Sequence, residues 1–127
     1  MSDLLRDSSP LGQLGVGATD TVVIHRTGDR DLEGEVALLG EGYSVGTGTT
    51  AWVYIAKRTR GGYVVAWSHL TIWDGAEDRY SAELCKDAGA VLAALQGEGG
   101  MQRAEEQAWR QACGRDGDIA AANRQAI

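Results

Sequence analysis

The stretch from Ala51 to Trp73, AWVYIAKRTRGGYVVAWSHLTIW, constrains the fold of this chain more than any other. Two runs rich in β-branched and aromatic residues, Trp52 to Thr59 and Tyr63 to Trp73, flank Arg60-Gly61-Gly62, where glycine supplies the positive φ that tight turns need. The pattern predicts a β-hairpin holding three of the four tryptophans. A two-residue turn at Arg60-Gly61 or Gly61-Gly62 would place Trp52, Tyr54, Arg58, Tyr63, Trp67 and His69 on one face. Val53, Ile55, Val64, Ala66, Leu70 and Ile72 would then share the other, an aliphatic surface suited to packing under helices. A three-residue loop with a bulge would slip the register by one and mix the two sets. Two-residue hairpin loops are the commoner form, so segregated faces are the expectation.

Aromatic and arginine side chains are enriched in binding interfaces because large rigid rings give contact area at little entropic cost. The aromatic face therefore has two readings. In one, its rings complete a core or a dimer interface. In the other, they form a ligand platform on which a planar group stacks while Arg58 or Arg60 meets a negative charge.

A chain of 127 residues with 43% apolar content has enough material for the core of one domain without staples or metals. The net charge of −6 argues against nonspecific affinity for nucleic acid or anionic membrane, which are gripped by clustered lysine and arginine. The strip Lys57-Arg58-Thr59-Arg60 is too short to reverse that balance. Ten arginines against two lysines, with 18 alanines and 18 glycines, point to a high-GC bacterial or phage genome. Cys85 and Cys113 have no CxxC spacing and no histidine set beside them, so two free thiols in a reducing compartment are expected. The opening MSDLLRDSSPLGQLG lacks a basic leader and a long apolar run, which suggests a cytoplasmic protein.

Residues 1–19 mix serines, the only proline and three glycines among leucines, and read as a flexible N-terminal arm ordered only by contact. Residues 20–127 read as a single domain, with a sheet over 20–85 and helices over 87–126. Strands are expected at Thr21 to Arg26 and Glu33 to Leu39, joined by a polar turn, then through the aromatic hairpin, with a fifth at Asp78 to Leu84. The segment from Gly40 to Thr50 reads as a glycine-rich link. From Asp87 the period changes: Ala88, Val91, Leu92 and Leu95 recur at helical spacing behind an N-cap aspartate, and Gly97-Glu98-Gly99-Gly100 stops the helix. A second helix over Met101 to Cys113 aligns Ala104, Ala108, Trp109 and Ala112, and a third runs from about Asp118 to Gln125. Trp109 is expected to anchor the helical part, whereas Ala120 to Ala122 and Ala126 bury little. Strands first and helices last give an α+β fold: a four- or five-stranded antiparallel meander with two or three C-terminal helices packed on one face.

Motifs that would carry chemistry are weak. Gly46-Thr47-Gly48-Thr49-Thr50 offers backbone amides to an anion but lacks the lysine and following helix of a phosphate loop. His25 and His69 lie in different hairpins, and a general acid or base needs a second group and a pocket that no spacing here identifies. Neither Ser68-His69 nor Cys85 has a partner to deprotonate it. Asp74, Glu77 and Asp78 do not match an EF-hand loop, so no metal or other cofactor is expected. The leading expectation is a non-enzymatic inhibitor or adaptor that binds a protein partner through Trp52, Tyr54, Arg58, Arg60, Tyr63, Trp67 and His69, with a homodimer as its form. The alternatives are a protein that sequesters a nucleotide-like anion, held by Arg58, Arg60 and the Gly46 to Thr50 loop, and a small hydrolase or transferase using His25 or His69.

Overall fold

The computed structural model describes residues 4–124. Five strands form one antiparallel sheet in sequence order: β1 (Thr19–Ile24), β2 (Leu32–Gly46), β3 (Thr49–Arg58), β4 (Tyr63–Thr71) and β5 (Arg79–Cys85). A short helix, α1 (Pro10–Leu14), precedes them, and α2 (Ala88–Gln96), α3 (Arg103–Cys113) and α4 (Gly117–Ala122) follow. The α+β meander with C-terminal helices is therefore the architecture. Gln125 and Ala126, assigned by sequence to the last helix, lie outside the described residues, as do residues 1–3 of the N-terminal arm.

The sheet curls back on itself. Just past β1, the Thr27 N–H donates to the Tyr80 carbonyl on β5 (2.8 Å), and the Tyr80 N–H donates to Thr27 Oγ1 (2.8 Å). Register then sorts side chains onto two faces. Val22, Ile24, Val36, Leu38, Tyr54, Ala56, Val64 and Ala66 meet on the inner face with Leu11 of α1. Val53, Ile55, Tyr63, Val65 and Cys85 point the other way and form the larger core with α2, α3 and α4. All the inner strand residues are even-numbered and all the helix-side residues of β3 to β5 are odd, as a two-residue side-chain period requires.

The aromatic hairpin takes the slipped register. Trp52 pairs with Ser68, Tyr54 with Ala66 and Lys57 with Tyr63, while the Arg58 N–H donates to the Gly62 carbonyl (2.9 Å) across the loop Thr59-Arg60-Gly61. Gly61 (φ +110°) and Gly62 (φ +78°) are consecutive residues in positive-φ backbone, which accommodates the extra loop residue. The expected segregated face is corrected accordingly. Trp52, Tyr54 and Arg58 stand on the inner side, and Tyr63, Trp67 and His69 on the helix side.

The glycine-rich link is also corrected: Gly40 to Gly46 is the second half of β2, and only Thr47 and Gly48 remain as a turn before β3. A β-bulge at Leu39 shifts the β2–β3 register there, and beyond Ala37 β2 no longer pairs with β1. α3 takes over along that part of the strand. Its Gln111 and Gln107 side-chain oxygens accept the backbone N–H groups of Glu41 (2.8 Å) and Tyr43 (3.0 Å). Four helical residues rise about 6 Å and two strand residues about 6.7 Å, so the two glutamines keep step with alternate strand amides. Gly40 and Gly42 make the approach possible, because a Cβ on either would collide with the α3 backbone at Ala108 or Ala104. The alanine stripe Ala104, Ala108 and Ala112 is the matching surface, fully buried as its helical spacing implied.

Aspartates cap two of the C-terminal helices. Asp87 Oδ1 accepts the Ala90 N–H (2.8 Å) ahead of α2, and Asp116 Oδ1 accepts the N–H groups of Asp118 (2.9 Å) and Ile119 (3.0 Å) ahead of α4. Trp109 is 2% exposed and donates its indole N–H to Asn123 Oδ1 (2.7 Å), which ties α3 to the end of α4. It is the anchor its helical position suggested.

Candidate functional site

Two buried aspartates organise the hairpin, one on each face. On the inner side Asp7, 8% exposed, receives the Tyr54 hydroxyl (2.6 Å), the Ser68 hydroxyl (2.7 Å) and the Ser9 hydroxyl (2.7 Å) on Oδ2, and the Ser9 N–H (3.0 Å) on Oδ1. Burial alone would raise the Asp7 carboxyl, but these four hydrogen bonds outweigh it and hold its pKa below the ordinary value of 3.8. Burial and the neighbouring carboxylate together push the Tyr54 phenol far above its usual range, so it stays a donor. On the helix side Asp116 receives the Tyr63 hydroxyl (3.0 Å) on Oδ1 and the Lys57 ammonium (3.1 Å) on Oδ2, and Lys57 Nζ sits 5.9 Å from the centre of the Tyr63 ring. Here too burial opposes ionisation, and the α4 amides, Lys57 and Tyr63 overcome it.

These contacts decide what the aromatic residues are available to do. Tyr54 (1% exposed) and Tyr63 (4%) are core residues with occupied hydroxyls. Trp52 is half-buried, stacks beside Tyr54 with centroids 6.2 Å apart and donates its indole N–H to the Leu5 carbonyl (2.8 Å). Trp67 packs partly buried against the helix-side core, and His69 is exposed on the same side. The seven binding residues named from the sequence, six of them on one expected face, are thus not brought together: they occupy two faces, with Tyr54 and Trp67 beside one opening and Arg58 and Arg60 at another.

That opening is a cavity of about 590 Å³ in the inner side of the curl. Val22, Ile24, Val36 and Val64 form its apolar floor, and Leu84, 51% exposed, stands beside it. Arg58, Arg60, Glu33 and Glu35 supply its charges. Glu35 Oε1 is engaged by the Thr59 hydroxyl (2.8 Å), while among the described residues neither arginine forms an ion pair. The Gly46 to Thr50 segment, expected to help hold a phosphate, is at the opposite end of β3. The ten residues of β3 run from Thr49 to Arg58 over about 30 Å, and the turn is covered by Trp73, whose indole N–H donates to the Thr47 carbonyl (2.9 Å).

A second cavity, about 240 Å³, lies beside Tyr54 and Ser68 and is bounded by Leu11, Ile24, His25 and Tyr80. Ile24 contributes to both cavities. His25 is exposed, meets Asp31 (Nδ1 to Oδ1, 3.0 Å) and packs edge-on against Tyr80 with centroids 5.6 Å apart. Its carboxylate is Asp31, in the β1–β2 turn. Burial, with Glu83 and Asp87 nearby, pushes the Cys85 thiol up to about 11, which leaves almost no thiolate at neutral pH. Both cysteines are free, and among the described residues no group of three or more histidine, cysteine, aspartate or glutamate side chains is placed to hold a metal ion. No described helix is long and apolar enough to cross a membrane.

Asp7 and Leu84 were not among the residues the sequence singled out, and Ser68 was weighed there only as a nucleophile. One signal for the first was present. Ser9-Pro10 is a helix start, a hydroxyl cap followed by proline in the first turn, and Ser9 Oγ does accept the Gly12 N–H (3.3 Å). Asp7 thus belongs to the lead-in of a helix. No protein-family model, no curated protein and no solved structure matches this chain.

Proposed function

We propose that this protein is a non-enzymatic binding domain and that its ligand is a small anion held in the inner cavity at Arg58 and Arg60. The observation that carries the reading is that two arginines of an acidic chain stand on the rim of the inner cavity with no ion pair among the described residues. Its volume falls within the roughly 300–1,000 Å³ usual for small-ligand sites. A guanidinium offers a planar fork of donors that matches a carboxylate or phosphate oxygen pair. The high thiol pKa of Cys85 and the exposed settings of His25 and His69 favour binding over catalysis. A cytoplasmic setting in a bacterium or phage belongs to the same proposal.

A second reading keeps the partner-binding role and moves its surface. Tyr43 (39% exposed) and Val45 (46%) on β2 lie near the turn at Thr47 and Gly48, and Ile72 (61%) and Trp73 (53%) leave β4 beside the same turn. Tyr43 packs on Trp52 with centroids 5.0 Å apart. This end of the sheet is the apolar surface on which a protein partner or a second copy would dock, and a dimer formed there is the oligomer we propose. Native mass spectrometry of gently purified protein tests both. An anionic adduct that disappears in Arg58→Gln supports the cavity. A ligand-free dimer that dissociates in Trp73→Ala supports the sheet end, and a bare monomer would count against both.

A further inference from the structure

We infer that the anion taken by the inner cavity is an aliphatic carboxylate, its headgroup on Arg58 and Arg60 and its hydrocarbon tail on the apolar floor below them. The inference rests on the anion-binding reading above and names its ligand class. Three observations separate this ligand from a nucleotide. No tryptophan or tyrosine lines the cavity, so a base would find no ring to stack on. The floor is instead wholly aliphatic, with Val22, Ile24, Val36 and Val64 continuous with the inner core and Leu84 half exposed at the opening. Exposed leucine beside a concave aliphatic surface is the kind of apolar area that gains from being covered. Finally, the two arginines are matched in number by Glu33 and Glu35 on the same rim, so the site has no surplus of positive charge to neutralise a polyphosphate. A single carboxylate suits it.

The geometry also fixes what each part contributes. Arg58 belongs to the inner face by register, paired with Val36 across β2, and its guanidinium lies by the Gly62 turn. Arg60 sits at the exposed tip of the same β3–β4 loop. Both forks are thus carried by one hairpin, at the end of the curl opposite the Thr47-Gly48 turn. The tail supplies affinity in proportion to its buried methylenes, and the arginines select an ionised headgroup over a neutral one.

The test is isothermal titration of the full chain with octanoate, decanoate and dodecanoate below their micelle concentrations, with dodecanol and adenosine monophosphate alongside. Affinity is expected to rise about threefold to fourfold per added CH₂, and dodecanol is expected to bind at least about tenfold more weakly than dodecanoate because it forfeits the charged hydrogen bonds. The double variant Arg58→Gln/Arg60→Gln is expected to lose about tenfold or more for dodecanoate, with Arg58→Lys retaining part of it. Leu84→Glu, at a half-exposed position, is expected to keep the fold by circular dichroism and abolish dodecanoate binding. Equal binding of dodecanol and dodecanoate, or no dependence on chain length, would overturn the inference. Binding of adenosine monophosphate without the carboxylates would overturn the ligand class and leave the anion site standing, and binding of neither would remove both.

Discussion

Asp7 shows how a single buried charge is kept with no counter-cation paired to it among the described residues. Its Oδ2 takes three hydroxyl donors and its Oδ1 a backbone N–H, so the ionised form is solvated by the protein in place of water. Tyr54→Phe is expected to cost about 1–3 kcal/mol, because it removes a donor from a buried charge without leaving a large cavity; chemical denaturation with an unchanged m-value would show it. The carboxyl titrates below its unfolded value of about 3.8, so its stabilisation stands in full above that pH and fades as pH falls through the folded-state pKa. Asp7→Asn should flatten the acid limb of the stability profile, measured as melting temperature between about pH 5 and 2. Tyr54 acts at the other extreme. Its raised pKa keeps the phenol neutral in the fold, so its contribution is complete below about 10 and is lost as pH rises further.

At the scale of elements, the informative contact is between α3 and the second half of β2. A strand that has lost its β1 partner would leave alternate amides open on one edge, and Gln107 and Gln111 accept two of them. Gly42→Ala is expected to cost about 1–3 kcal/mol, since the added methyl meets helix backbone that can yield only by moving α3. The loss should appear in a tryptophan fluorescence melt as in the far-ultraviolet signal. Gln107→Ala leaves its strand amide exposed enough for water to replace the lost acceptor, so its cost is expected to stay near about 0.5–1 kcal/mol. Asp116→Ala breaks the α4 cap, the Tyr63 hydrogen bond and the Lys57 ion pair together, and is expected to exceed about 2 kcal/mol in the same assay.

The whole molecule is two cores sharing one sheet, the helix side and the inner side of the curl. Because β3 and β4 contribute alternate residues to both, neither core can open alone, and one cooperative transition is expected, with tryptophan fluorescence and circular dichroism coinciding on denaturation. The amino-acid sequence by itself determined the elements: the antiparallel meander and the C-terminal helices, expected behind Asp87, from Met101 and from about Asp118. Their signals are periodicity, caps and glycine stops, which act within a few residues. It also placed Trp109 and the alanine stripe in the core, because helical spacing names a face. The tertiary structure alone decided which hairpin register was used, since Arg60-Gly61-Gly62 favours the commoner two-residue loop but also admits one a residue longer, which exchanges the two faces of β4 relative to β3. It decided that Gly40 to Gly46 is strand, because glycines read as a flexible link until a helix is seen to need their missing side chains. It also brought Asp7 to Tyr54 and Arg58 to Leu84, pairs far apart in the chain whose meeting depends on how the sheet curls. Local forces select the elements, but the curl sets which distant residues share a cavity.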